Sequence, residues 1–230
     1  MKVAFITGGT KGIGYGVAER LLKEGYAVTF TGRSQEGVDA ATESLKALGE
    51  VLGVVADVRD ASSLQKAVAE TLNKWGRIDA VIANAGVGVF KNITDLSLEE
   101  WNDTIDTNLT GVFNTVKATL DALIAQEGYI ITISSLAGTN FFENGTAYNA
   151  SKFGVTGFSQ ALMLDVRSKG VKVSTIMPGS VATYFNHHVP NENDAWKIQP
   201  EDIGDLVADL LKMNPRTLPS KIEVRPAKVK

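Results

Sequence analysis

Short apolar runs rich in β-branched residues alternate with longer amphipathic stretches along the whole sequence, and this alternation constrains the fold most strongly. Continuous apolar runs of this length are typical of strands buried on both faces of a parallel sheet. The alternation predicts an α/β fold, a doubly wound parallel sheet of about seven strands with helices on both faces. Strands are predicted at residues 3–7, 27–31, 51–57, 79–84, 129–134, 171–177 and 221–225. Helices are predicted at residues 13–23, 34–48, 62–75, 98–125, 147–168 and 200–211.

No repeat, low-complexity tract or linker interrupts this pattern, so we expect a single domain over residues 1–230. The least regular stretch is residues 184–199, which is polar and contains a proline. Such a composition indicates a loop, and we interpret it as a substrate loop or short lid.

The composition excludes several classes of function. The chain has no cysteine, which rules out disulfides, thiolate metal ligands and a thiol nucleophile. Its net charge of −3 offers no basic surface for nucleic acid. No apolar run approaches the roughly 18 residues of a membrane span, and no cluster of metal ligands is evident. We therefore expect a cytoplasmic protein that acts on a small molecule without a metal, a membrane or a nucleic acid.

The first predicted strand runs into a glycine-rich turn, TGGTKGIG at residues 7–14, which opens the first predicted helix. Gly8, Gly12 and Gly14 permit a tight turn, with Thr10 between them, and let a pyrophosphate approach the backbone closely. The helix that follows directs its free N–H groups and the positive end of its dipole at such an anion. Strand, turn and helix together predict a dinucleotide site.

The end of the second predicted strand indicates which dinucleotide binds. An acidic residue there would bind the ribose 2′-hydroxyl of NAD. This chain has Gly32 at that point, followed by Arg33 and Ser34. A guanidinium pairs with a 2′-phosphate, whereas a carboxylate would repel it. Because Lys11 adds a second positive charge in the glycine-rich turn, the sequence predicts NADP(H) in preference to NAD(H).

The segment YNASK places Tyr148 four residues before Lys152. On a helix, this spacing sets the phenol and the ammonium on one face, one turn apart. A free tyrosine has a pKa near ~10, and a neighbouring positive charge lowers it. The pair could therefore serve as an acid and base in a chain with few histidines, although an ordinary helix start with a surface lysine has the same pattern.

The motifs TGGTKGIG, NAG, ISS and YNASK follow one another in this order, and over residues 2–226 the chain resembles the short-chain dehydrogenase/reductase family. The resemblance implies a Rossmann-type fold and NADP-dependent hydride transfer between a carbonyl and an alcohol. It implies that Tyr148 is the general acid and base, and that Lys152 binds the nicotinamide ribose and lowers the tyrosine pKa. It implies that Ser135 binds the substrate oxygen. Asn108 matches the asparagine that helps to hold a water in a proton relay.

The resemblance also implies cofactor contacts spread along the chain. The N–H of Ile13 would meet the pyrophosphate, and Asp57 would bind the adenine amino group with Val58 beside it. The other matching positions follow the fourth and sixth strands: Asn84, Ala85, Gly86, Pro178, Gly179, Val181 and Thr183.

Substrate selection is expected to depend on residues 87–90, 136–147 and 184–199. Aromatic residues in or next to these segments are candidates for an apolar pocket, although each could belong to the core. They are Phe90, Phe141, Phe142, Phe185 and Trp196. The ending KIEVRPAKVK lacks the glycine common in family tetramers, which pair their last strands. A homodimer through the helices at 98–125 and 147–168 is therefore expected, and a tetramer is left open.

Two alternatives remain open. A 3-oxoacyl-acyl-carrier-protein reductase has the same chemistry, but its acidic carrier usually needs a basic docking patch, and this acidic chain shows no obvious one. The other alternative is a non-catalytic NADP(H)-binding sensor or scaffold. Such a protein would have little use for Ser135, Tyr148 and Lys152.

Overall fold

The computed structural model describes residues 1–228, apart from the side chain of His187, and the predicted alternation of strands and helices is present throughout. The last two residues of the predicted domain, 229–230, lie outside the described part. The strands are β1 (Val3–Ile6), β2 (Ala27–Gly32), β3 (Val51–Val55), β4 (Ala80–Ala83), β5 (Tyr129–Ile133), β6 (Lys172–Pro178) and β7 (Lys221–Val224). The helices are α1 (Gly12–Lys23), α2 (Gln35–Leu45), α3 (Ala61–Trp75), α4 (Leu98–Ile105), α5 (Gly111–Ile124), α6 (Thr146–Val166) and α7 (Pro200–Lys212).

The strands form one parallel sheet in the order β3-β2-β1-β4-β5-β6-β7. The chain begins in the middle, moves to one edge through β2 and β3, and then fills the other side from β4 onward. The strand order therefore reverses between β1 and β4. In such a doubly wound sheet, a crevice opens at this reversal beyond the carboxyl ends of the strands. The predicted fold class is confirmed.

The hydrophobic core lies on both faces of the sheet because successive strand residues point to opposite sides. Ile6 belongs to the face covered by α1, α2 and α7, whereas its neighbour Phe5 belongs to the face covered by α3, α5 and α6. Both side chains are fully buried. Burial on two faces explains why the strands read as continuous apolar runs and not as an alternation of apolar and polar residues.

Helix boundaries follow from local capping chemistry. Ser97 and Glu100 form a capping box at the start of α4, in which each side chain accepts from the other residue's backbone N–H. Asp60 caps α3 by accepting from the N–H of Ser62 at 2.8 Å, and Gly76 ends that helix in the left-handed region at φ 73°.

The continuous helix predicted over 98–125 is interrupted. Residues Asp106–Thr110 form a turn of π-helix between α4 and α5. Apolar periodicity does not reveal such a turn because the residues before, within and after it are all helical. The cause lies in tertiary contacts of Asn108, which are described below.

The segment 184–199 is irregular, as predicted. It contains short 3-10 turns at Phe185–His187 and Glu192–Asp194, and Ile198 forms an isolated parallel bridge with Val181. It folds around Asp194, which is 6% exposed. The Asp194 carboxylate lies 2.5 Å from His188 Nε2 and 2.6 Å from Lys197 Nζ, and it accepts from the N–H of Asn191 at 3.1 Å.

Candidate active site

The glycine-rich turn between β1 and α1 forms one end of a cleft at the carboxyl edge of the sheet. Gly8 and Gly12 adopt left-handed backbone conformations, at φ 68° and 59°, which side chains rarely tolerate. Gly14 has no room for a side chain, since an added Cβ would overlap the Gly8 carbonyl oxygen and lie 2.5 Å from Asn84 Nδ2. No side chain of the described residues caps α1. Its first N–H groups are therefore available to an anion.

Thr7 ties this turn to the neighbouring strand. Its hydroxyl accepts from the backbone N–H groups of Asn84 and Ala85, at 3.1 and 3.2 Å. The Asn84 side chain returns the contact by donating to the carbonyl oxygens of Thr7 and Gly8, at 2.9 and 3.0 Å. The predicted NAG segment thus acts as a brace that holds the glycine-rich turn in place.

A positively charged corner lies beyond the end of β2. Thr10, Lys11, Arg33 and Ser34 line a hollow of about 670 Å³ there, together with residues of α1 and α2. Ser34 also starts α2 by accepting from the N–H of Gly37 at 3.3 Å. An added Cβ at Gly32 would collide with the Thr10 side chain. The packing of the glycine-rich turn therefore leaves no room at position 32 for any side chain, including an acidic one.

Asp57 is held by a cation that the sequence reasoning missed. Arg59 donates to the Asp57 carboxylate through Nε and Nη2, the closest contact being 2.6 Å, and Arg59 Nη1 reaches Asp103 at 2.6 Å. These hydrogen bonds from Arg59 are the main reason that the pKa of Asp57 is lowered, and Arg33 adds to the effect. The opposite charges two residues apart were the available signal in the sequence.

Asn108 lies in the π-turn and is fully buried. Its Oδ1 accepts from the N–H of Val87 at 2.8 Å, and its Nδ2 donates to Val87 O at 2.9 Å and to Ser151 Oγ at 3.0 Å. Both amide hydrogens are thus used by the protein. The side chain fixes the loop after β4 to the start of α6, and these contacts explain why the helix deviates here.

Ser135, Tyr148 and Lys152 come together at the ends of β5 and α6. Lys152 is 4% exposed, and its Nζ donates to the Ile133 carbonyl oxygen at 3.0 Å while lying 5.7 Å from the centre of the Tyr148 ring. Ser135 Oγ accepts from the N–H of Ala137 at 3.1 Å and lies 3.5 Å from Pro178 O. The latter distance is long for a hydroxyl donor, so the Ser135 hydrogen is free to turn toward another acceptor.

Burial governs the ionisation of this group. It raises the pKa of Tyr148 to about 12, although a hydrogen bond with Ser135 acts in the opposite direction. It lowers the pKa of Lys152 to about 8. Burial disfavours the charged form of each group, and no effect of Lys152 is among the causes of the tyrosine shift, so the lowering of the Tyr148 pKa by the lysine stays a prediction.

A cavity of about 1380 Å³ joins the glycine-rich turn to Ser135, Tyr148 and Lys152. Asn108 does not line it, because it lies behind Val87. Gly14 also lies behind the cavity wall, and Ser34 lines the smaller hollow instead. The remaining predicted cofactor residues all line the cavity: Gly8, Thr10, Lys11, Gly12, Ile13, Arg33, Asp57, Val58, Asn84, Ala85, Gly86, Pro178, Gly179, Val181 and Thr183.

The backbone at the start of α1 tests whether this cavity fits a nucleotide. Gly8 and Gly12 let a ligand approach the backbone closely, and the first N–H groups of α1 have no side-chain cap among the described residues. A glycine cradle and a free helix N-terminus together suit the pyrophosphate of a dinucleotide.

The aromatic residues predicted for the substrate end are placed unequally. Phe90, Phe142, Phe185 and Trp196 line the cavity. Phe141 does not. It is 83% exposed and stacks on Phe153 outside the cavity, with ring centres 5.0 Å apart. Its neighbour Phe142 occupies the inward position because adjacent residues of an extended loop point in opposite directions.

Several lining residues escaped the sequence reasoning. Tyr184 lies over the glycine-rich turn, with its ring centre 5.6 Å from Lys11 Nζ. The others come from the 184–199 segment, which was expected to take part in substrate selection although these residues were not singled out, and from the end of β7, which was not expected at the cavity. They include His188, Val189, Lys197, Arg225 and Pro226.

Two further features of the described residues concern metals and membranes. Among the side chains that the structure describes, no group of three or more His, Asp or Glu residues is placed to hold a metal ion. Within residues 1–228, no helix has the length and apolarity needed to cross a membrane.

The fold and the site define a class of protein: an α/β oxidoreductase that binds a nicotinamide dinucleotide at the carboxyl edge of a doubly wound sheet. Residues 2–194 match the family described as short chain dehydrogenase. The chain belongs to this family. It is therefore an oxidoreductase that acts on carbonyl or alcohol groups of small molecules.

Three similar proteins show the range of relatives within this family. The 3-oxoacyl-acyl-carrier-protein reductase FabG of Escherichia coli K12 is 36% identical over 206 residues, 89% of this chain and 84% of the relative. Alcohol dehydrogenase from Thermococcus sibiricus, complexed with 5-hydroxy-NADP, has a TM-score of 0.94 at 30% identity, covering 100% of this chain and 98% of that chain. Carveol dehydrogenase from Mycobacterium avium, in complex with NAD, has a TM-score of 0.90 at 26% identity, covering 98% and 96%. The structural neighbours thus include proteins bound to either kind of dinucleotide.

Proposed function

We propose that the chain is an NADP(H)-dependent oxidoreductase that interconverts a carbonyl and an alcohol, with Tyr148 as the general acid and base. One observation carries the proposal. Tyr148, Lys152 and Ser135 lie on the wall of the same cavity that the glycine-rich turn opens. A proton donor and a dinucleotide cradle in one cavity are what carbonyl reduction needs.

In the reducing direction, the Tyr148 hydroxyl donates its proton to the carbonyl oxygen. Its pKa of about 12 keeps it protonated at neutral pH, which is the form that a general acid must have. The Ser135 hydroxyl donates a hydrogen bond to the same oxygen and stabilises the negative charge that develops there. In the oxidising direction the tyrosine accepts the proton, and the nearby Lys152 ammonium favours the phenolate.

The dinucleotide, when bound, supplies or accepts the hydride. The turn at Gly8, Gly12 and Gly14 would hold its pyrophosphate, and Asp57 with Val58 would face the adenine. The segments after β4 and β6 would hold the nicotinamide end. Asn108 would act as a positioning residue, because its side-chain amide donates to Val87 in the loop after β4 and to Ser151 in α6 and so ties the two together.

The preference for NADP(H) rests on charge. Arg33 and Lys11 flank the hollow beyond β2, and Gly32 stands where an acid would select NAD. Two cations around a site for the adenosine ribose favour a 2′-phosphate over a hydroxyl.

Two alternatives are kept. A 3-oxoacyl-acyl-carrier-protein reductase is favoured by the similarity to the E. coli relative over most of both chains. A sensor or scaffold that binds NADP(H) without turnover is the other, and the convergence of Ser135, Tyr148 and Lys152 argues against it.

The proposal extends to the organisation of the molecule. We take residues 1–230 as one nucleotide-binding domain and 184–199 as its substrate loop, held around Asp194. We also infer a homodimer through α5 and α6, because Phe113 and Leu164 on these helices are half exposed.

The test is NADPH and NADH oxidation, monitored by absorbance, against aldehydes, diketones, quinones and 3-oxoacyl thioesters. We expect turnover that prefers NADPH. Tyr148→Phe should lower kcat about 10²–10⁴-fold and leave NADPH binding intact, because it removes a proton donor and little else. The matched control is Tyr26→Phe, a second tyrosine whose pKa is raised by burial, but away from the cavity. Activity that survives Tyr148→Phe would contradict the assignment, and NADPH binding without turnover on any carbonyl would favour the sensor.

A further inference from the structure

Four aromatic rings meet at the substrate end of the cavity. Phe90 makes edge-on contacts with Tyr148 at 5.3 Å and with Phe142 at 5.5 Å, and a tilted contact with Phe185 at 6.2 Å between ring centres. Tyr148 also contacts Phe185 at 5.6 Å. We call Phe90, Phe142, Tyr148 and Phe185 the aromatic cluster. Its members come from the loops after β4 and β5, from α6 and from the 184–199 segment, so separate parts of the chain converge on the proposed acid.

Two glycines make room for these rings. A Cβ added at Gly88 would lie 2.5 Å from Phe185 Cζ, and one added at Gly145 would lie 2.7 Å from Phe142 Cε2. Neither glycine has a positive φ, so neither is required by backbone conformation. Their small size serves the packing of the rings. The cluster is therefore built into the fold and is not a chance grouping of surface residues.

The cluster keeps apolar surface open to the cavity. Phe90 is 39% exposed and Phe142 is 45% exposed, yet both line the cavity beside the proposed acid. Aromatic side chains of this exposure lose favourable burial unless a ligand covers them. The surface therefore fits an apolar ligand group close to Tyr148.

Lys152 Nζ is engaged with the Ile133 carbonyl oxygen, and Lys197 and Arg225, which the 184–199 segment and the end of β7 contribute to the cavity, are engaged with acids. Lys197 Nζ lies 2.6 Å from Asp194 Oδ1, and Arg225 Nη2 lies 2.9 Å from Glu223 Oε2. A substrate carboxylate or phosphate at this end would have to displace one of these acids. A neutral substrate meets no such competition.

We infer that the substrate is a neutral carbonyl compound with an aromatic ring attached to, or next to, the carbonyl carbon. The inference rests on the proposed function and names the substrate class of the same site. Phe90 and Phe142 would receive the substrate ring in edge-on or tilted contacts of the kind they already make with each other. With a bound reduced dinucleotide as the donor, the carbonyl carbon would gain the hydride and the oxygen would gain the Tyr148 proton, which would leave the neutral alcohol, the oxidised dinucleotide and a Tyr148 phenolate.

The test compares benzaldehyde with butanal, 4-formylbenzoate and a 3-oxoacyl thioester, with NADPH in excess. We expect kcat/KM for benzaldehyde to exceed each of the other values at least about tenfold. Phe90→Leu should lower kcat/KM for benzaldehyde about tenfold through KM, and change the butanal value less than about twofold. The matched control is Phe141→Leu, which alters a phenylalanine outside the cavity and should leave all substrates within about twofold.

A second measurement needs no turnover. Binding of benzyl alcohol to the Tyr148→Phe protein with NADP⁺ present is measured by calorimetry, and Phe90→Leu added to that variant should weaken it about tenfold. Three results would each overturn the inference. They are a kcat/KM for butanal equal to that for benzaldehyde, an equal loss of kcat/KM for benzaldehyde in Phe90→Leu and Phe141→Leu, and no binding of benzyl alcohol. The proposed function would still stand if any carbonyl is reduced in a Tyr148-dependent manner. Conversely, activity that survives Tyr148→Phe would contradict the role of Tyr148 as the acid, whether or not the enzyme prefers aromatic substrates.

Discussion

Lys152 and Tyr148 carry opposite pKa shifts for the same reason. Burial moves both groups toward their neutral forms, to about 8 for the lysine and about 12 for the tyrosine. The lysine keeps a partner for its ammonium in the Ile133 carbonyl oxygen. The buried charge is therefore tolerated at a cost in stability, as is common for residues that serve a site and not the fold.

We predict that Lys152→Met makes the fold more stable at pH 7. The pKa of Lys152 falls from 10.5 to about 8 on folding, which costs about 3 kcal/mol while the group is charged. The unfolded chain binds the extra proton between these pH values, so the penalty is complete below pH 8 and disappears as pH rises to 10.5. After about 1 kcal/mol for the lost hydrogen bond, the variant should gain about 2 kcal/mol at pH 7.

The measurement is urea unfolding of both proteins at pH 7.0, 8.5 and 9.5, with the exposed Lys66→Met as the control. The raised pKa of Tyr148 takes stability away only above pH 10, and it does so in both proteins, so it cancels in the difference. A variant that is less stable at pH 7, or a difference that does not shrink with rising pH, would show that burial does not penalise this lysine.

Arg33 is expected to distinguish NADPH from NADH. Arg33→Ala should raise the Kd for NADPH about tenfold or more and leave the Kd for NADH within about twofold, because a charge-assisted hydrogen bond to a phosphate contributes about 1.5–3 kcal/mol. Fluorescence titration with both dinucleotides measures this. Arg216→Ala, an exposed arginine remote from the cavity, is the control. Equal weakening for both dinucleotides would mean that Arg33 does not read the 2′-position.

At the scale of secondary-structure elements, the packing of β1 against α1 depends on Gly14. Neighbouring atoms occupy the space that a side chain at this position would need. Gly14→Ala should abolish dinucleotide binding and lower the free energy of unfolding by about 1–3 kcal/mol, because its Cβ would meet the Gly8 backbone and Asn84. Gly157→Ala is the matched control. Its Cβ meets nothing within 4 Å inside α6, so the change should stabilise by about 0.5–1 kcal/mol. Calorimetry and thermal unfolding test both, and normal binding by Gly14→Ala would contradict the proposed cradle.

The elements themselves were largely predictable from the sequence, and the exceptions have physical reasons. The strands are short runs rich in apolar and β-branched residues, most of them buried, so they stand out from the polar residues around them. The π-turn was missed because its cause is a long-range contact between Asn108 and Val87. Arg59 lies two residues from Asp57, so that contact could have been predicted from the sequence, whereas its second partner, Asp103, is 44 residues away and only the fold brings the two together.

At the scale of the whole molecule, the cofactor end of the cavity was easier to predict than the substrate end. The former is made by turns directly after strands, where motif and position coincide. The latter is made by irregular segments that meet only in three dimensions. Phe141 and Phe142 are adjacent and equally apolar, and only the fold places Phe142 in the cavity and Phe141 outside it.

The proposed dimer can be tested by placing a charge on its expected interface. Phe113 on α5 is 48% exposed and Leu164 on α6 is 56% exposed. Phe113→Arg should convert a dimer to a monomer in sedimentation velocity at micromolar concentration, because a charge at the centre of an apolar interface costs several kcal/mol. Met213→Arg, at an exposed apolar residue after α7, should leave the state unchanged. A parent protein that sediments as a monomer would refute the dimer.

The π-turn at Asp106–Thr110 has a consequence for the long helical stretch that contains it. An α-helix turns about 100° per residue, so one additional residue in a turn rotates everything beyond it by that angle. Before the turn α4 packs on α6, and after it α5 packs on α3. Deleting a single residue between 106 and 110 would therefore bring the two halves into phase, turn the α5 face away from α3, and carry Asn108 off the loop that it holds.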